Sequence, residues 1–186
     1  MNDETLKFFA KYCFGETSVK DFSDWAIDCL EHGLDSKNLR ILASMFNAQY
    51  LAEVETYFIK SLDELNLDYP TDERYLPAYA KLIARQIINK EIDAVEGCNE
   101  LHKVYIYLDF KPVFSNWNYL HQKMHPETFE DLEGAELKLE EAIIDEASKM
   151  IYGKKTMVYQ YETKPDFEFA EEKQESLFSK LWKKIF

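Results

Sequence analysis

Two histidines four residues apart, His121 and His125, are the first candidates for chemistry in this chain. On a continuous helix this spacing places both imidazoles on one face, as in the histidine pairs that bind zinc. However, the glutamate of a zinc-protease helix is missing between them, and Pro126 indicates that the helix ends near His125. We therefore expect exposed or capping histidines, with no metal and no cofactor, and keep a metal-dependent enzyme as the third-ranked function.

Acidic side chains are concentrated in the last long helical stretch, residues 133–152, and paired carboxylates serve glycosidases and two-metal enzymes. These acids are Glu136, Glu140, Glu141, Asp145 and Glu146. The apolar residues of the same stretch account for a buried face, so we expect the acids to be solvated on the opposite face. No nucleophile elbow, phosphate-binding glycine loop or dinucleotide fingerprint occurs. The sequence thus predicts no catalytic residues and a protein that is not an enzyme.

Three cysteines, Cys13, Cys29 and Cys98, are widely spaced and form no Cys-x-x-Cys motif. An odd number at this spacing indicates neither a disulfide framework nor a thiolate metal site. We expect each to be a small buried apolar residue.

The charge balance is strongly acidic, with 35 Asp and Glu against 22 Lys and Arg and a formal net charge of −13. Such a surface repels nucleic acid and attracts basic proteins. The 12 tyrosines suit half-buried surfaces and interfaces. A basic protein partner is therefore expected, although an acidic surface also serves solubility alone.

The final ten residues, 177–186, reverse this charge, for they contain three lysines and no acid. At about 100° per residue, the bulky apolar side chains occupy one half of a helix and the polar ones the other half. The predicted contacts to a partner or membrane are Leu177, Phe178, Lys180, Leu181, Trp182, Lys183, Lys184, Ile185 and Phe186. So short a helix needs its apolar side covered, by the rest of the chain, a membrane surface or a groove on a partner. The segment resembles the C-terminal amphipathic anchors of bacterial division proteins related to actin and to the Min ATPase.

Helical periodicity dominates residues 1–153, and only five Gly and five Pro occur in the chain. Ser18 and Asp93 are expected to cap helices at their N-termini, Gly33 to end one, and Pro112 to open the seventh. The fold class predicted is all-α, with about eight helices as stacked antiparallel hairpins, in an irregular bundle or short α-solenoid. Alternating aromatic residues in 154–176 predict a small β-hairpin or a linker, and 177–186 form the amphipathic tail.

Trp25 and Trp117 lie within apolar stripes and are expected in the core. No apolar run approaches the roughly 20 residues that cross a bilayer, and the acidic N-terminus lacks a signal-peptide core. We therefore expect a cytoplasmic protein, with a peripheral position at the inner face of the membrane, held by the tail, as the alternative.

Residues 22–43 and 92–107 resemble segments of small, acidic, helical bacterial proteins. Their type overlaps with the immunity proteins of polymorphic-toxin and contact-dependent inhibition systems. This resemblance implies a cytosolic helical binding protein and assigns no site residues.

Together these observations favour a non-catalytic binding protein, of immunity or adaptor type. Its acidic, tyrosine-rich surface would neutralise a basic partner such as a toxin nuclease. A peripheral membrane adaptor anchored by the tail is the alternative.

Overall fold

The computed structural model describes residues 2–124 and 132–153, with side chains in the second range from 138 onward. These residues form eight α-helices and one short 3₁₀ turn, and they contain no strand. The helices are α1 (Asp3–Cys13), α2 (Val19–Glu31), α3 (Lys37–Ala43), α4 (Leu51–Glu64), α5 (Asp72–Ile88), α6 (Ala94–Tyr107), α7 (Ser115–Lys123) and α8 (Leu132–Tyr152). The predicted all-α class is confirmed for this part of the chain.

Local capping chemistry sets several helix boundaries. Ser18 and Asp21 form a reciprocal capping box at the start of α2, and Asp93 accepts from two backbone amides at the start of α6. Each cap satisfies amides that the first helical turn leaves without a partner. Gly33 follows α2 with a φ of 85°, a left-handed conformation that glycine adopts without steric cost. These three predictions are confirmed.

Two prolines lie in or beside helices, and, contrary to expectation, Pro112 does not open the seventh α-helix directly. Pro77 lies inside α5, beyond the first turn where its missing N–H would be tolerated. Pro112 opens a short 3₁₀ turn, Pro112–Phe114, and α7 begins only at Ser115. That extra turn places Val113 and Phe114 between α6 and α7.

Helix α5 is the central element of the described fold, for it packs against α1, α6 and α8. Helices α2, α3 and α4 pack in sequence on one side of α1, and α7 joins α6 and α8. Successive helices pack on each other except for α4 and α5, and α5 also packs against α1 and α8, which are distant in sequence.

An aromatic cluster forms the core between α1, α2 and α4. Phe8 stacks on Trp25 at a centroid distance of 5.3 Å and meets Phe22 and Phe58 edge-on. Such edge-to-face contacts add about 1 kcal/mol each beyond the burial of apolar area. Trp25 and Trp117 are 3% and 1% exposed, which confirms both as core residues.

The prediction that the acids of α8 are solvated is confirmed for three residues and wrong for a fourth. Glu140, Glu141 and Asp145 are exposed, whereas Glu146 is only 3% exposed. Burial of Glu146 is possible because Asn116 of α7 donates a hydrogen bond to its Oε1 at 2.9 Å. The side chain of Glu136 lies outside the described residues.

No helix in the described ranges is long and apolar enough to cross a membrane. The predicted β-hairpin and the predicted amphipathic tail both lie outside the described residues.

Candidate functional site

The histidine pair singled out in the sequence is divided between described and undescribed residues. His121 lies in α7, and His125 falls outside the described ranges. Instead, the imidazole of His121 stacks on that of His102 in α6, with centroids 3.8 Å apart and planes 18° from parallel. Imidazole lone pairs lie in the ring plane, so near-parallel stacked rings do not direct them at one point. This contact joins α6 to α7 and is not arranged as a pair of metal ligands.

Among the side chains of residues 2–124 and 138–153, no three or more His, Cys, Asp or Glu lie together in a group that could hold a metal ion.

The three thiols are poorly suited to nucleophilic chemistry. Burial and the nearby carboxylate of Asp72 raise the pKa of Cys13 to about 12. Burial likewise raises the pKa of Cys29 to about 11 and that of Cys98 to about 12. Since the thiolate is the reactive species, all three side chains are unreactive thiols at neutral pH.

A hydroxyl cluster joins α1 to α4 and to the loop after it. Tyr12 Oη donates to Glu55 and also contacts the hydroxyl of Tyr69. Burial, followed by these contacts, raises the pKa of Tyr12 well above its ordinary value. An activated tyrosine needs a lowered pKa, so this cluster is a structural contact between elements.

A concentration of acidic side chains lies around α1, where Lys7 and Lys11 line two grooves. One groove, of about 290 Å³, runs between α1 and α2, and the other, of about 470 Å³, runs between the end of α1, α5 and α6. Four carboxylates line each groove. We call these the acidic face: Glu4, Asp21, Asp24 and Asp28 on one side, and Glu16, Glu91, Glu96 and Glu100 on the other.

The smaller groove is built by the helical period of α2. Asp21, Asp24 and Asp28 recur at three- and four-residue intervals and therefore share one edge of the helix. Trp25 lies between them on the inner side, and its buried Nε1 has no hydrogen-bond partner in the described structure. Each acid of this groove has a partner. Lys11 pairs with Asp21 at 2.6 Å, Lys7 with Glu4 at 2.8 Å and Lys20 with Asp24, and the side-chain amide of Asn2 donates to Asp28 at 2.8 Å.

The larger groove has an aromatic floor under its acids. Tyr79 Oη donates to Glu100 Oε2 at 2.8 Å, and its ring meets that of Phe14 at 6.0 Å. Lys103 bridges Glu16 at 3.2 Å and Glu100 at 3.1 Å. Partial burial lowers the pKa of Lys103, but these two carboxylates outweigh burial and hold it above its ordinary value. This network fixes the position of Glu100 at the groove wall.

Two acids of the larger groove lack a counter-ion in the described part of the chain. Glu91 and Glu96 form no ion pair with any residue in the described ranges. Both are exposed, and both lie where α6 begins, next to the cap at Asp93. Their charges remain available to a cationic group on a partner.

In comparisons with known proteins, no family model matches this chain, and neither a curated protein nor a solved structure matches it.

Sequence reasoning found the acidity but not its location. The acids of the larger groove come from the α1–α2 loop, the α5–α6 loop and α6, and only the tertiary packing brings them together. The three- and four-residue spacing of Asp21, Asp24 and Asp28 was a local signal that could have located the smaller groove. The predicted tail contacts, residues 177–186, lie outside the described residues.

Proposed function

We propose that this chain is a non-catalytic protein-binding protein, of immunity or adaptor type, whose acidic face captures a basic protein partner such as a toxin nuclease. The observation that carries this proposal is the set of four carboxylates in the groove on each side of α1. Among the residues that line these two grooves, Lys7 and Lys11 are the only cationic ones. We interpret the sequential packing of the helices as stacked hairpins that present this face.

Electrostatic complementarity supports a role in capture and specificity. Like-charged carboxylates lining a groove raise the local concentration of cations and accelerate association with a basic protein. The groove floor adds Phe14 and Tyr79, and Tyr107 packs beside Phe14 at a centroid distance of 4.9 Å while remaining 40% exposed. Phe14 and Tyr79 are only 5% and 8% exposed, so Tyr107 is the ring of these three that a lysine or arginine of a partner could contact.

The test compares two charge-matched double variants. Glu91→Gln/Glu96→Gln removes the two unpaired carboxylates of the larger groove, and Glu140→Gln/Glu141→Gln removes two exposed carboxylates of α8. Each protein is immobilised and exposed to an extract of its native host at low salt. We expect the wild type and the α8 variant to retain a basic protein and the groove variant to lose most of it.

Salt and kinetics sharpen the same test once that protein is purified. Its association rate with the wild type should fall steeply with ionic strength, and the groove variant should lower the association rate more than it raises the dissociation rate. Failure to capture any basic protein at low salt would overturn the proposal. Equal loss in the two charge-matched variants would overturn it as well.

A further inference from the structure

A third cavity, a cleft of about 480 Å³, lies between α5, the 3₁₀ turn and α8 and shares no lining residue with the two grooves of the acidic face. Its volume falls within the range of about 300–1,000 Å³ found for small-molecule sites. The apolar wall consists of Pro77, Leu108, Val113, Phe114, Trp117 and Met150.

Half of this apolar wall belongs to the buried core, and one part of it is open. Leu108, Phe114 and Trp117 are each at most 5% exposed and belong to the core, whereas Val113 at the mouth is 68% exposed. A fixed apolar floor with an open mouth favours a ligand with an apolar body.

The charge of the cleft is opposite to that of the protein as a whole. Lys81, Lys111 and Lys149 line it, against the single carboxylate of Glu146. On a chain of net charge −13, this local excess of cations is a place where an anion is attracted.

The three lysines differ in how firmly they are engaged. Lys149 is held by Asp145 at 2.6 Å. Lys111 pairs only with the highly exposed Glu73 at 3.2 Å, and Lys81 is exposed with no ion pair to any residue in 2–124 or 138–153. Because exposed ion pairs contribute little, a carboxylate at the mouth can engage both Lys81 and Lys111.

Glu146 sets the orientation. It is 3% exposed, and its Oε2 has no hydrogen-bond partner in the described structure, although Lys149 Nζ lies 3.6 Å away. A second carboxylate near this buried one would be repelled. The apolar part of a ligand therefore faces inward, and its anionic head faces the two exposed lysines.

We propose that this cleft binds a small amphipathic anion, a carboxylate carrying a flexible apolar chain, with Lys81 and Lys111 as the head-group contacts. The site is separate from the acidic face and does not depend on the function proposed for it.

The test uses sodium decanoate and decanol, which share a chain length and differ in charge, below their aggregation concentrations. Isothermal titration calorimetry of the full chain should show saturable decanoate binding near one molecule per chain. Lys81→Gln/Lys111→Gln should weaken decanoate binding at least tenfold and change decanol binding less than twofold. Lys37→Gln/Lys60→Gln, at exposed lysines of α3 and α4, is the charge-matched control and should change neither.

Val113→Glu locates the bound molecule, because it places a negative charge at the mouth on a side chain that is already exposed. We expect at least a tenfold loss of decanoate affinity with an unchanged thermal unfolding midpoint. No saturable decanoate binding by the wild type would overturn the proposal. Two further results would overturn it, because each assigns binding to another surface. One is a loss of decanol affinity in the lysine variant equal to its loss of decanoate affinity, and the other is an unchanged decanoate affinity in Val113→Glu.

Discussion

The side-chain amide of Asn116 on α7 donates a 2.9 Å hydrogen bond to Glu146 Oε1 on α8, and each residue is 3% exposed. This contact ties the two helices together across a buried boundary. A buried carboxylate needs such a donor, because the cost of removing the charge from water is otherwise uncompensated.

Asn116→Ala removes the donor and leaves the carboxylate of Glu146 buried. We expect the free energy of unfolding to fall by about 2 kcal/mol, as measured by urea denaturation. Asn47→Ala, at an exposed asparagine, should change it by less than about 0.5 kcal/mol. Equal stability of the two variants would contradict a structural role for the hydrogen bond.

Asp21→Asn tests the capping box of α2 through its pH dependence. Burial raises the pKa of Asp21, but hydrogen bonds from Lys11 and Ser18 outweigh burial and hold it below its ordinary value. A carboxyl with a lowered folded pKa adds stability above its unfolded pKa, near 3.9, and loses it as the pH falls through the folded value. The wild type should exceed the variant by roughly 1 kcal/mol at pH 7, and the difference should shrink below about pH 4.

Urea unfolding at pH 7, 5 and 3 measures that difference. Glu31→Gln, at an exposed carboxyl at the end of α2, should differ from the wild type by less than about 0.5 kcal/mol at each pH. A gap for Asp21→Asn that widens toward pH 3 would have the wrong sign.

Gly97→Ala tests the close approach of α6 to α5. A β-carbon at Gly97 would lie 2.5 Å from Ile87 Cγ1 and 2.6 Å from its Cδ1, so the helices or the isoleucine must move. We expect a loss of about 1–3 kcal/mol despite the better helix propensity of alanine. Asn99→Ala, at an exposed position of the same helix, should be neutral or slightly stabilising, which separates packing from propensity.

The raised thiol pKa values predict slow alkylation. In native protein at pH 8, Cys13, Cys29 and Cys98 should react with iodoacetamide at least tenfold more slowly than in urea, because burial keeps them protonated. Peptide mass spectrometry of timed samples measures each rate separately. One cysteine that reacts as fast in native protein as in urea would show an accessible thiolate and contradict its assignment.

Local rules predicted those features of the fold that neighbouring residues determine. Ser18 and Gly33 mark their helix ends through their own hydrogen bonding and backbone freedom, so both were predictable. The stack of His102 on His121 and the burial of Glu146 depend on how α6, α7 and α8 meet. Periodicity assigned Glu146 to the solvated face of α8. Its burial was not predictable because Asn116, which donates the compensating hydrogen bond, lies 30 residues away in sequence. The larger groove could not be predicted for the same reason, because Glu16 and Glu100 are distant in sequence and lie together only where both pair with Lys103.

The central position of α5 has a consequence for the order in which the chain becomes stable during synthesis. Helix α1 packs against α5, so the apolar side that α1 presents to it stays uncovered until residues 72–88 have been made. The first four helices can form an aromatic cluster of their own, but they leave that surface open in the meantime. A nascent chain halted before α5 would therefore expose an apolar surface on α1, and α5 covers this surface while presenting its own apolar residues to α6 and α8, which are made later.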